Sequence, residues 1–227
     1  AASSPARVAA FDPVAATNAY LATVTGEKRA RSDAYFEGGY WLQMWDFLIG
    51  VAVNLALLAS GLSRRMRERA EKLVRFRPAR TMLYWGQYLL ATSLIVFPMT
   101  VYEGFFREHA YGLSNQTFWA WLGDQGKGLG VGLVLGGLAV TALYGVVRRL
   151  PHSWALWGAF TMVALLIFGS LIGPVYVAPL FNDYTRLADP VVRGPILSMA
   201  RAQGVPAEDV WVFDASRQTK RVSANVS

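Results

Sequence analysis

Four stretches of this chain are apolar and almost free of charge, and they alternate with shorter charged segments. Residues 38–63 carry Asp46 as their one formal charge, and residues 81–102, 128–147 and 150–182 carry none. Each stretch holds about 20 residues of helix, the length that crosses roughly 30 Å of hydrocarbon. The pattern therefore predicts four membrane spans, centred on residues 41–62, 81–101, 129–147 and 154–178. Trp41, Trp45, Tyr84, Trp85, Trp154 and Trp157 cluster near the span starts, as interfacial aromatic belts do. Four helices of a soluble bundle would each need a charged outer face, which these stretches lack.

Composition sharpens the picture in two ways. Of the 227 residues 54% are hydrophobic and only 16% charged, against about 25% charged in an ordinary soluble domain. Cysteine is absent, which excludes disulfides, thiolate metal sites and a cysteine nucleophile.

Charge then orients the spans. Residues 63–80 hold Arg64, Arg65, Arg67, Arg69, Lys72, Arg75, Arg77 and Arg80 against Glu68 and Glu71, and Arg148 and Arg149 follow the third span. Both segments are expected on the cytoplasmic side, with the loop at residues 102–127 and both termini on the other. A basic loop pinned between two spans reads as a topology determinant or an anionic-lipid contact rather than as a nucleic-acid site. The glycines at 126, 128, 130, 132, 136 and 137 are followed by no Lys-Ser/Thr and read as close helix packing, not as a phosphate loop.

The flanking segments have a different texture. Residues 1–40 are polar, begin on Ala1 without an initiating methionine, and are expected to be extramembrane, as after removal of a signal peptide or an upstream span. Loose helical spacing of Ala15, Ala16, Ala19, Tyr20 and Val24 suggests a surface helix within residues 12–33. After the fourth span, Asp189-Pro190 reads as an N-cap and first helical position, the helix stopping at Gly204. Residues 210–213 form a short β run, and residues 221–227 are expected to begin a second strand after a turn at 215–220. The fold class is thus multi-pass all-α membrane helices followed by the start of an α/β domain, divided as 1–40, 41–178 and 179–227. The last segment is too short to bury its own apolar face, so the sequence is expected to end inside that domain.

Several local sequences then combine. Tyr35-Phe36-Glu37-Gly38-Gly39-Tyr40-Trp41, Tyr102-Glu103-Gly104-Phe105-Phe106-Arg107-Glu108-His109, Tyr111-Gly112-Leu113-Ser114-Asn115-Gln116, Ala178-Pro179-Leu180-Phe181-Asn182 and the path from Val210 to Ser223-Ala224-Asn225 resemble the integral-membrane CAAX prenyl protease (type 1) family of zinc metallopeptidases, in its N-terminal, membrane-spanning portion. The resemblance implies a membrane-embedded zinc endopeptidase whose spans form a chamber that admits a peptide or lipidated-protein substrate. It also implies a His-Glu-x-x-His helix with a later glutamate as the zinc ligands. This chain has only His109 and His152, in no such pattern, so no catalytic or metal-ligating residue is assigned within it and zinc is expected only in the full-length enzyme.

By the same resemblance Ser223, Ala224 and Asn225 lie on an edge strand beside the active-site cleft, where the Asn225 amide would hydrogen-bond substrate or a developing oxyanion. Asp46, Glu103, Glu108 and His109 are candidates for chamber or domain contacts. Asp46 is a lone carboxylate within a span, which suits a watery chamber and equally an exposed interfacial position. Adjacent Glu108 and His109 would point apart, which favours a structural contact over an acid/base pair. The arginine distribution places the zinc domain outside the cytoplasm, which fits a bacterial inner-membrane homologue acting on envelope peptides better than one acting on prenylated proteins. Membrane lipid is a further expected partner, nucleic acid is not, and the oligomeric state is left open. The alternative function is a non-catalytic transport or scaffold module, for which Asp46 and Asn54 would be the polar residues within the spans.

Overall fold

The computed structural model describes residues 12–23 and 25–220. The chain divides into two units, residues 1–52 and 53–227. In the first, helix α1 (Pro13–Leu21) is started by Asp12, whose carboxylate accepts from the backbone N–H of Val14 and Ala15 at 2.9 and 3.1 Å, with Pro13 at the first helical position. Gly26, at φ +60°, opens α2 (Gly26–Ala59), which crosses into the second unit. The helical stretch expected over residues 12–33 is therefore two helices. The second of them runs unbroken through residue 41, where the first span was expected to start.

The second unit is built on long helices. Gly61, held at φ +68° where a Cβ is unfavourable, turns the chain into α3 (Leu62–Leu73). Met66 and Ala70, one turn apart, are buried, while the basic side chains of α3 are exposed. α3 is tied to the next helix where the Ser63 hydroxyl meets the Tyr84 hydroxyl at 2.8 Å and Gln87 Nε2 donates to the Met66 carbonyl at 3.2 Å.

Three further helices follow: α4 (Arg77–Ala110), α5 (Phe118–Arg149) and α6 (Trp154–Leu180). Each contains one wider π turn, at Tyr102–Arg107, Gly132–Gly136 and Gly173–Val177. Pro98 removes one rung of the α4 ladder just before its π turn. In α5 the π turn meets Trp85, whose indole N–H donates to the Gly132 carbonyl at 3.0 Å and takes up an acceptor that the altered ladder leaves available.

The helices α2, α4, α5 and α6 are each long and apolar enough to cross a membrane. Leu94, Phe160 and Leu166 expose 76%, 60% and 65% of their surface. Such continuous apolar exposure is tenable in lipid and not in water. These helices overrun the expected spans. Residues 102–127, read from their charges as a loop, are mostly helix, and the connection shrinks to 111–117. Glu103, Arg107, Glu108, Asp124 and Lys127 sit on helix ends, where charge is compatible with helix once the backbone has left the hydrocarbon. The basic segment 63–80 likewise contains α3.

Beyond α6 the chain forms β1 (Tyr184–Arg186), α7 (Pro190–Ala202) and β2 (Trp211–Phe213). The strands pair antiparallel with Tyr184 opposite Phe213 and Arg186 opposite Trp211. Asp189 caps α7 by accepting from Val191 N–H at 2.8 Å, and Gly204 at φ +71° follows its end, as the sequence predicts. β1 was not anticipated, because three residues between a span and a helix show no periodicity. Asp209 joins the pieces, pairing with Arg186 of β1 and with Arg193 Nε of α7 at 2.8 Å. Partial desolvation works against its charged form, but the Val210 N–H, the Arg193 hydrogen bond and the two guanidinium charges outweigh this and hold its carboxyl below the usual range.

Candidate functional site

The end of α4, the 111–117 connection and the start of α5 form a strap that holds residues 215–220, the segment leading directly to Ser223-Ala224-Asn225. Ser114 and Thr219 form an antiparallel bridge. Lys220 N–H donates to the Leu113 carbonyl at 3.0 Å, and the Thr219 hydroxyl donates to the same oxygen at 3.0 Å. Asn115 Nδ2 donates to the Ser216 carbonyl at 2.9 Å, and the Ser114 hydroxyl to the Gln218 carbonyl at 3.3 Å. On the other side, Asp214 accepts from Ser216 N–H at 2.9 Å and sets the short 3-10 turn Ala215–Arg217.

Asp124 is the polar centre of the strap. Its carboxylate accepts from Gln116 Nε2 at 2.5 Å, from Lys127 Nζ at 3.1 Å and, more distantly, from Gln218 Nε2 at 3.5 Å. Gln218 Nε2 also donates to the Phe181 carbonyl at 3.0 Å, and Lys127 lies 5.9 Å from the centre of the Phe181 ring. Asp124, Gln116 and Gln218 thus bind the start of α5, the strap and the terminal segment to the end of α6. Charge-assisted hydrogen bonds are the strong ones in such a network.

The expected candidates fall as follows. His109 lies on the last turn of α4, not in a loop, with Nδ1 2.8 Å from the Phe105 carbonyl and Nε2 2.9 Å from the Gln116 carbonyl. Its ring stands 4.3 Å from that of Phe105, which in turn packs on Phe118 and Trp121. The imidazole links the helix to the strap and is thereby committed to a structural contact. Glu108 is its neighbour on the same turn, and Glu103 stands in the π turn with one carboxylate oxygen buried. Asp46 is exposed on α2 in the first unit. Ser223, Ala224 and Asn225 lie outside the described residues.

Sequence reading did not find Asp124, Lys127 or Gln218. The only available signal was Asn115-Gln116 within a recognised local sequence; the partners are too far apart along the chain to show spacing. Loss of Asp124 is expected to loosen the terminal segment. In an Asp124→Ala variant the Lys220 amide should exchange its hydrogen roughly 30-fold faster, equivalent to about 2 kcal/mol for hydrogen bonds to a charged group. Unchanged exchange at Lys220 would show that the strap holds without the carboxylate.

The family model described as CAAX prenyl protease N-terminal, five membrane helices, matches residues 15–183. A Bacillus subtilis (strain 168) protein named uncharacterized metalloprotease YhfN is 28% identical over 185 residues, covering 80% of this chain and 43% of that protein. A CAAX prenyl protease 1 homolog of Oryza sativa subsp. japonica is 29% identical over 146 residues, covering 63% of this chain and 34% of its own. The crystal structure of S. mikatae Ste24p has the same fold, with a TM-score of 0.70 at 20% identity over 92% of this chain and 49% of that one. The chain therefore spans less than half the length of these relatives. With the family model matched along most of its length and four membrane-capable helices in place, the chain belongs to the CAAX prenyl protease N-terminal family of multi-pass membrane proteins.

Proposed function

We propose that this chain forms the membrane-spanning part of a zinc metalloendopeptidase that cleaves peptides or lipidated proteins at a chamber between its helices, with residues 179–227 as the entry to the metallopeptidase domain. The observation that carries the reading is the strap. It anchors residues 215–220 to the helix ends, and so delivers the following residues, Ser223-Ala224-Asn225, from a fixed point on the membrane part. A peptide adding to that segment as an extra strand would pair with its main chain, and the Asn225 amide would offer a donor to the carbonyl under attack. The names of the relatives, metalloprotease and CAAX prenyl protease, support the reaction class and the substrate class.

Zinc in such an enzyme would supply an activated water. Among the described residues no three His, Cys, Asp or Glu side chains converge as a metal site, so these residues do not fit the ion. What this chain contributes is position: the strap orients the substrate strand, and the long helices enclose it.

The basic segments at 63–80 and 148–149 support an orientation in which they face the cytoplasm of a bacterial cell, both termini lying outside it. The decisive measurement is peptide cleavage by the protein as its gene encodes it, purified in detergent and offered a farnesylated CAAX peptide and an unmodified envelope-type peptide. Cleavage abolished by a chelator and restored by zinc is the expected result, and absence of any cleavage under loaded conditions rejects the protease reading. For orientation, cysteines placed at Ser63 and Ser216 should label oppositely with an impermeant thiol reagent on intact cells, Ser216 from outside; labelling of Ser63 alone inverts the topology.

A further inference from the structure

At the end of the bundle formed by α3, the start of α4 and the end of α5 lies a cleft of about 860 Å³. Arg64, Arg67, Arg77, Arg80 and Arg148 line it, with Glu71 as its only carboxylate. Three separate segments thus bring five guanidinium groups to one space. Arg64 has a partner in Glu68 at 3.8 Å. Among the described residues no ion pair is formed by Arg67, Arg77, Arg80 or Arg148.

Two of these arginines are held in place by neutral groups. Arg80 donates to the Val74 and Arg75 carbonyls at 3.2 and 3.3 Å, and Arg148 donates to the buried Thr81 hydroxyl at 3.1 Å while lying 5.5 Å from the centre of the Tyr144 ring. Carbonyls, a hydroxyl and an aromatic face fix a guanidinium without neutralising it. The cleft therefore keeps a concentrated positive field that an anion would relieve.

The rest of the lining is of another character. Trp85, Tyr88 and Val140 lie deeper along the same helices. From Thr81 to Tyr88 is seven residues, about 10 Å of helix. Cations at the rim and an aromatic floor 10 Å further in match an amphiphile with a negative head. A free phosphate would occupy only the rim and leave the floor uncovered. The chain is a membrane protein, so such amphiphiles surround it.

We propose that this cleft is a binding site for an anionic phospholipid, its phosphate clamped by Arg67, Arg77 and Arg148 and the first part of an acyl chain lying on Trp85 and Tyr88. Arginine suits this task because its planar fork binds phosphate oxygens in pairs. A zwitterionic phosphatidylcholine offers the same phosphate but brings a choline cation into a field of five arginines against one glutamate, so the site selects for net negative charge. This site is independent of the protease reading and stands or falls without it.

The experiment uses the full chain purified in a neutral detergent, with phosphatidylglycerol, phosphatidylcholine and inorganic phosphate as separate probes. Lipid retained per protein is read by native mass spectrometry and the melting temperature in parallel. Wild type should retain phosphatidylglycerol well above phosphatidylcholine and melt higher with it, while inorganic phosphate should give no comparable shift. Each basic side chain near an anionic lipid is worth roughly a fivefold gain in affinity, so Arg67→Gln with Arg77→Gln should lower the preference about 25-fold. Both residues are exposed, and retained helicity by circular dichroism checks that the variant folds. Arg148→Gln, on the opposite wall, should lower the preference on its own. Arg65→Gln with Arg69→Gln removes the same charge from α3 outside the cleft and should leave the preference intact. Equal loss in that variant would reduce the effect to diffuse surface charge and overturn the site. Equal retention of both lipids by wild type, or full reproduction of the shift by inorganic phosphate, would overturn it as well.

Discussion

Replacing Gly136 with leucine is expected to destabilise the helix bundle by about 3 kcal/mol, the upper end of what overpacking costs. A Cβ at this position would stand 2.7 Å from Trp85 Cζ2, closer than real Cβ atoms come to a neighbour, and 3.0 Å from Cε2, a tight contact. The indole is held there by its N–H, which is committed to the Gly132 carbonyl one turn away. Moving it would break that bond and reopen the π turn of α5. The gain in helix propensity from glycine to leucine, about 0.8 kcal/mol, works in the opposite direction and is too small to offset the clash. Two companions make the measurement specific. At Gly145 nothing lies within 4 Å of an added Cβ, so Gly145→Leu should be neutral or mildly stabilising. At Gly132 the nearest atom is Leu89 Cδ2 at 3.4 Å, an ordinary contact, so Gly132→Ala should cost little. Thermal unfolding in detergent reads all three, and equal tolerance at 136 and 145 would show that α4 and α5 do not pack through Trp85.

The second large effect is kinetic and concerns Asn225 in the endopeptidase proposed above. If its amide donates to the oxygen that becomes negative as the peptide carbonyl is attacked, Asn225→Ala should lower kcat by roughly 10² to 10³ with KM nearly unchanged, as loss of one oxyanion donor does. Zinc content and melting temperature should stay at wild-type values, because the proposed role of Asn225 is toward the substrate and not toward the metal. Unchanged turnover would assign Asn225 a purely structural place. Lost zinc or lost folding would show that the residue belongs to the scaffold of the site rather than to its chemistry. The strap makes a separate demand: Asp124→Ala leaves Asn225 chemically intact but loosens residues 215–220, which precede it in sequence. Its effect on turnover should therefore be smaller and should lessen when an added lipid or lower temperature stabilises the fold.

How much was legible in the sequence differs from element to element. The four membrane helices were, because lipid offers the backbone no hydrogen bonds and a chain that crosses it must be helical and uncharged over a readable length. Helix α7 was legible for a local reason: Asp189, Pro190 and Gly204 act on their immediate neighbours. Helix ends were not. The charges at 103–110 and 118–127 were read as the ends of the spans, and the helices continue past them because a charged side chain does not by itself break a helix.

The sequence by itself determined that this is a multi-pass membrane chain, which segments are apolar enough to cross, and where its basic side chains concentrate, since these follow from hydropathy and charge counted along the chain. Only the tertiary structure decided what those residues meet. Asp124 and Gln218, 94 positions apart, converge because α5 and the terminal segment are both tied to the end of α6. Arg67, Arg77 and Arg148 share one cleft because α3 folds back on α4 and α5 packs beside it. Linear patterns report the solvent each residue prefers, whereas a side chain's partners are set by packing between helices, which depends on shape at a distance and leaves no period to read.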